Sequence, residues 1–100
     1  MSALASRLTL VIDRVGDPFT VGGQARIGWF RIASYSRALL YATPTEHSTY
    51  PMPVRTLTVP AADPTGVGDT VVWDSQSLTV RKAVNLRVRG QTVARVLLVA

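Results

Sequence analysis

Gly68-Asp69-Thr70-Val71-Val72-Trp73-Asp74-Ser75-Gln76-Ser77-Leu78-Thr79-Val80-Arg81, continuing to Ala100, is the stretch that decides the fold of this chain. It reads as three consecutive strands with almost nothing between them. Gly68-Asp69 is a turn signal opening a β-branched run, and Asp74-Ser75-Gln76-Ser77 is a polar turn before the next strand. From Leu78 the side chains alternate, as a two-residue repeat requires. Leu78, Val80, Val84, Leu86 and Val88 fall on one face, and Thr79, Arg81, Asn85, Arg87 and Arg89 fall on the other. Lys82 breaks the apolar face and marks a bulge or bend. Gly90-Gln91 supplies the last reversal, and Thr92 to Ala100 is apolar on both faces except for Arg95. A strand of that kind is expected to be paired on both sides rather than left as an edge.

Working upstream, Pro60 to Gly66 is a loop, and Val54 to Val59 is a strand by composition. A meander from Val54 to Ala100, with the final strand central, is the expected frame. Arg7 to Val15 reads as the first strand, because Leu8, Leu10 and Ile12 alternate with Thr9, Val11 and Asp13. Gly16-Asp17-Pro18 closes it, Phe19-Thr20-Val21 is a short strand, and Gly22-Gly23-Gln24 is a turn. Ala25 to Ile32 follows, with Gly28 expected at a close backbone approach or a barrel corner.

Between them, Ala33 to Pro53 breaks the pattern. Pro44, Pro51 and Pro53 exclude a long helix, although Ser36 to Ala42 has room for one or two helical turns capped by Ser34 or Ser36. An insertion of 21 residues with little structure of its own exceeds the usual loop length of ~12–15 residues, so it is functional or disordered. The chain thus reads as one all-β domain over residues 1–100, a small barrel or sandwich of five to seven mostly antiparallel strands with one long mobile loop.

Composition narrows the function classes. A hundred residues at 47% apolar content make a globular domain with a small core. No apolar run approaches a membrane span, and Arg7 and Thr9 interrupt any signal-peptide run between Met1 and Asp13. The absence of cysteine excludes disulfides and thiolate zinc sites. The baseline expectation is a soluble, cytosolic β domain with no membrane contact. Net charge is +5 and ten of the eleven basic residues are arginine. That balance favours phosphate or carboxylate partners, and it equally fits codon usage in a GC-rich genome.

No catalytic, cofactor or metal site emerges. His47, the single histidine, lies beside Glu46 in the insertion and reads as a solvated loop residue. One histidine with scattered carboxylates lacks metal-ligand spacing, and no serine sits in a nucleophile elbow. Gly22-Gly23 and Gly66-Val67-Gly68 precede neither a helix nor a Lys-Ser/Thr pair, so they do not read as phosphate loops. The clearest feature outside the core is the shared face of Arg81, Arg87 and Arg89, which is either a solvated barrel exterior or a surface for phosphate or acidic neighbours. Trp29 and Trp73 read as core anchors, and Leu78 to Ala100 lacks the aromatics that single-stranded nucleic-acid binding needs.

Taken together, Phe19 to Phe30 with its Gly22-Gly23-Gln24 turn, Val54 to Val59, Gly68-Asp69-Thr70-Val71, Leu78-Thr79-Val80-Arg81 and the apolar strand Ala94 to Val99 resemble the head–tail joining (head-closure or stopper) proteins of long-tailed phages, of the lambda type. The resemblance covers about residues 19 to 100 and rests on element order, length and loop position. Arg7 to Val15 departs from it. It implies a non-enzymatic β-barrel of the virion neck, assembled in the host cytoplasm. Such a protein joins a ring (dodecamer or hexamer) below the portal or adaptor after DNA packaging, closes the head, and offers a platform to the tail terminator or tail tube. It places the mobile loop at Ala33 to Pro53, where Tyr35, Arg37, Leu39, Leu40, Tyr41, Glu46, His47 and Tyr50 would contact a neighbour or narrow a channel holding duplex DNA. Alternatives are a small basic barrel that binds nucleic acid directly, or a minor tail or tail-terminator protein.

Overall fold

The computed structural model describes residues 3–100. Six strands close into an antiparallel barrel in the order β1-β2-β3-β6-β5-β4. These are β1 (Asp17–Val21), β2 (Gln24–Ile32), β3 (Arg55–Pro60), β4 (Thr70–Trp73), β5 (Gln76–Val88) and β6 (Gln91–Val99). The short β1–β4 pairing, Thr20 opposite Val72 and Val21 opposite Val71, closes the ring. The three C-terminal strands form consecutive hairpins, and β6 is paired on both sides, by β3 and β5. The meander stops there: β3 pairs with β2 and β6, not with β4. The β3–β4 connection instead crosses one end of the barrel.

The interior is apolar and dense. Phe19, Phe30, Leu57, Val71, Val80, Leu97 and Val99 belong to one buried cluster. Phe19 meets Phe30 edge-on, with centroids 5.7 Å apart, and Phe30 stacks on Trp73 at 4.3 Å. Gly28 is where the sequence places a close approach: a Cβ there would lie 2.5 Å from Leu57 Cδ1 and 3.0 Å from Phe19 Cε1. The end crossed by the β3–β4 connection is polar. Asp63 accepts from the backbone N–H and the hydroxyl of Thr65, Arg26 donates to Thr65 and Asp63, and Arg95 donates to the Asp63 carbonyl. Arg95, the one charge in β6, thus faces inward and helps close the barrel.

The strand expected over Arg7 to Val15 is a helix, α1 (Ala3–Val15). Leu8, Leu10 and Ile12 fit a two-residue repeat over a short window. Leu4, Leu8, Val11, Ile12 and Val15 fit a helical repeat over the whole segment, and the longer pattern wins. Ala5 and Ile12 are buried, Thr9 returns its hydroxyl to the Ala5 carbonyl, and α1 lies across the outside of β2, β3 and β6. Gly16 ends the helix by donating to the Ile12 carbonyl at 2.8 Å. Asp17 and Pro18, expected to be turn residues, already pair with Gly28 and Ile27 in β1.

A second correction concerns β5. Val80 pairs with Val99 and Lys82 with Leu98, so a bulge lies between them, as Lys82 suggests. The bulge exchanges the faces. Beyond it Ala83 shares the inner face with Leu97, while Val84 and Leu86 lie opposite Val96 and Ala94 on the outer face. This explains why β6 is apolar on both sides: Leu97 and Val99 fill the barrel, and Leu98 belongs to a second cluster outside it.

Candidate functional site

The second cluster is built by the insertion. Ala33, Ala38, Ala42 and Val54 pack with Leu98, and Tyr41, Tyr50 and Ala100 close its edges. The expectation of little local structure in Ala33 to Pro53 is therefore corrected: it contains two short helices, α2 (Tyr35–Ala38) and α3 (Pro44–Ser48). Ser34 caps α2 by accepting from Arg37 N–H at 3.2 Å. Thr43 and Glu46 form a reciprocal capping box on α3, with Glu46 N–H donating to Thr43 Oγ1 at 3.1 Å and Thr43 N–H to Glu46 Oε1 at 2.9 Å. Pro44 occupies the first helical turn, where its missing N–H carries no penalty. Thr43-Pro44-Thr45-Glu46 is thus a helix start in the sequence as it stands, and treating Pro44 only as a breaker hides it.

Glu46 also ties the segment to the barrel. Its Oε2 accepts from Lys82 Nζ at 2.8 Å. That hydrogen bond, with the backbone bond from Thr43, holds the Glu46 carboxyl below its ordinary value. The Lys82 ammonium is raised by the same hydrogen bond to Glu46. Tyr50 is raised chiefly by desolvation, then by the Glu46 charge. His47 is not a solvated residue: it is 8% exposed, with the Tyr35 ring edge-on at 5.0 Å and Tyr50 beside it at 6.4 Å. Its Nε2 is buried without a hydrogen-bond partner.

The eight segment residues singled out in the sequence divide by role. His47, Tyr41 and Tyr50 support the fold of the segment, Glu46 anchors it, and Arg37 and Leu39 are half-buried. Tyr35 and Leu40 face solvent, at 54% and 71% exposure. Ile32, just before the segment, and Met52, within it, are also exposed, at 70% and 69%. Sequence reasoning passes over these two because Ile32 reads as the end of a strand and Met52 sits between two prolines.

Arg81, Arg87 and Arg89 have three different settings. Arg81 lies in the bulge, half-buried, with Nη2 donating to the Ala100 carbonyl at 3.3 Å. Arg87 lies past the bulge at the exposed end of β5, and Arg89 sits in the hairpin turn with φ 52°. Register shifts between Val80 and Lys82 and again between Leu86 and Arg87 interrupt the simple alternation, and of the three only Arg87 and Arg89 are exposed. Trp29 is not a core anchor either: it projects from the outer face of β2, 45% exposed, with the Arg31 guanidinium 5.4 Å from its ring centroid. Trp73 does pack on the barrel core, and Arg55 lies over it at 5.4 Å.

One further concavity adjoins the segment. Between α1 and the Arg37–Tyr41 stretch runs a groove of about 260 Å³, floored by outer-face residues of β3 and β6 such as Thr58 and Val96. Among the described residues, no three histidine, aspartate or glutamate side chains are grouped to hold a metal, and no helix is long and apolar enough to cross a membrane. Comparison with family models, curated proteins and solved structures returned no match.

Proposed function

We propose that the chain is a structural joining protein of a phage neck, one that assembles as a ring below the portal or adaptor, closes the filled head and receives the tail terminator or tube. The observation that carries this reading is the build of the Ala33 to Pro53 segment. A helix cap on α2, a capping box on α3, a private apolar cluster and the Glu46–Lys82 pair fix the segment on the barrel. Yet the segment and its flanks leave Ile32, Tyr35, Leu40 and Met52 in water. Large apolar side chains held out from a well-packed support are the usual mark of a protein contact. The role is one of binding and joining, not catalysis.

The test uses filled heads made without this protein. Added pure protein should bind the portal vertex, prevent DNA loss and restore tail attachment, all visible by electron microscopy. Heads that neither bind it nor change in stability would overturn the proposal. A second reading, direct nucleic-acid binding, draws on the two arginine–tryptophan pairs, Arg31 with Trp29 and Arg55 with Trp73. It requires affinity that falls with salt, with a log–log slope of about −0.7 per phosphate on a single strand.

A further inference from the structure

The groove beside α1 differs from the exposed segment in being concave and in carrying charge of one sign only. Leu8, Val11 and Val15 of α1 form one wall, and Trp29 and Tyr41 contribute aromatic surface. The charged residues lining it are Arg31 and Arg37; none of the six carboxylates does. Neither guanidinium is paired with a carboxylate among the described residues. Val11 and Val15 remain 52% and 60% exposed, so α1 uses only part of its apolar surface against the barrel.

We infer that this groove is a docking site for an acidic peptide segment of a protein partner, one that inserts an apolar side chain between α1 and Tyr41 and sets a neighbouring carboxylate against Arg31 or Arg37. Charge selects the occupant. An apolar slot rimmed only by arginine favours an anionic ligand, and a planar guanidinium matches a carboxylate in two-point geometry. A second copy of this chain is a poor occupant, because its net charge is +5 and its own α1 brings Arg7 and Arg14. A flat anionic membrane would leave the recessed floor unfilled. This inference does not rest on the neck proposal: the groove takes an acidic apolar segment whatever assembly the chain joins.

The experiment follows amide and indole resonances of the full chain by NMR during titration with three probes. They are phenylbutyrate, its uncharged analogue phenylbutanol, and a synthetic peptide alternating leucine or phenylalanine with aspartate. Phenylbutyrate and the peptide should shift Val11, Val15, the Trp29 indole and Tyr41 together. Phenylbutanol should bind the same place about tenfold more weakly, the scale of one charge-assisted bond. Arg31→Gln with Arg37→Gln should remove that preference and leave phenylbutanol binding unchanged, which separates charge recognition from a folding defect. Equal binding of acid and alcohol, shifts scattered away from the groove, or no binding would overturn the inference. So would vesicles of phosphatidylserine perturbing the same resonances while the peptide does not, a result that assigns the face to a membrane.

Discussion

The inside of the barrel and the layer wrapped around its outside are built on opposite logic. Inside, large side chains such as Phe30, Leu57 and Leu97 interlock in a closed space, and exchanging any of them disturbs all. Outside, Leu98 rests among Ala33, Ala38 and Ala42, small residues in and beside two short helices that are held by caps and by one ion pair. The difference separates a closed core from a layer that tolerates change. The barrel carries stability, while the outer layer can change shape or composition at lower cost.

The contrast breaks most readily at neighbouring leucines of β6. Leu97→Ala should destabilise by about 3–4 kcal/mol, since its cavity lies inside a closed barrel that cannot collapse onto it. Leu98→Ala should cost about 2 kcal/mol, because the alanine-lined outer cluster can settle into the gap. Chemical denaturation of both variants checks the difference, and equal losses would erase the distinction between layers.

Gly28→Ala sharpens the same point. The new methyl would press on Leu57 and Phe19 within the barrel, and overpacking of this kind costs about 1–3 kcal/mol. A thermal midpoint equal to that of the unmodified protein would show that β2 yields more easily than its packing implies.

In the outer layer the effects should be smaller and local. Thr43→Ala removes the cap of α3, worth about 1 kcal/mol, and should speed amide exchange over residues 44–48 while leaving the barrel strands protected. Hydrogen-exchange mass spectrometry reads both regions at once.

The Glu46–Lys82 pair should show the smallest effect, through its pH dependence. The Glu46 value is lowered by folding, so its contribution is present above the ordinary carboxylate value and is lost as pH falls through the folded one. The Lys82 value is raised, so its contribution is complete below the ordinary lysine value and is lost as pH rises through the folded one. A double-mutant cycle with Glu46→Gln and Lys82→Met should therefore find coupling near neutral pH that disappears at both extremes. Coupling that does not vary with pH would contradict the assignment.

How far the sequence reveals all this depends on what each residue signal contains. The strands β2 to β6 were legible because turn residues such as Gly22-Gly23 and Gly90 bracket β-branched runs. The double-sided apolarity of Thr92 to Ala100 also announced a central strand, and Lys82 a bulge. The consequence of the bulge was not legible, since a face exchange depends on which partner residue is skipped. Helix α1 was hidden because its middle satisfies two periodicities at once. The fold of the insertion was hidden behind its prolines, although Thr43 and Glu46 spell its cap. Exposure of Ile32 and Met52 depends on tertiary packing and has no local signature.

The most direct test of a contact surface carried on a closed barrel is a variant that alters the surface alone. Ile32→Thr, Leu40→Ser and Met52→Ser together change side chains that are well over half exposed, so unfolding should stay within about 0.5 kcal/mol per site of the parent. With filled heads and tails, this folded variant should fail to yield tailed particles where the parent succeeds. Tail attachment at the parental level, by a variant of parental stability, would contradict the proposal that these side chains join the neck.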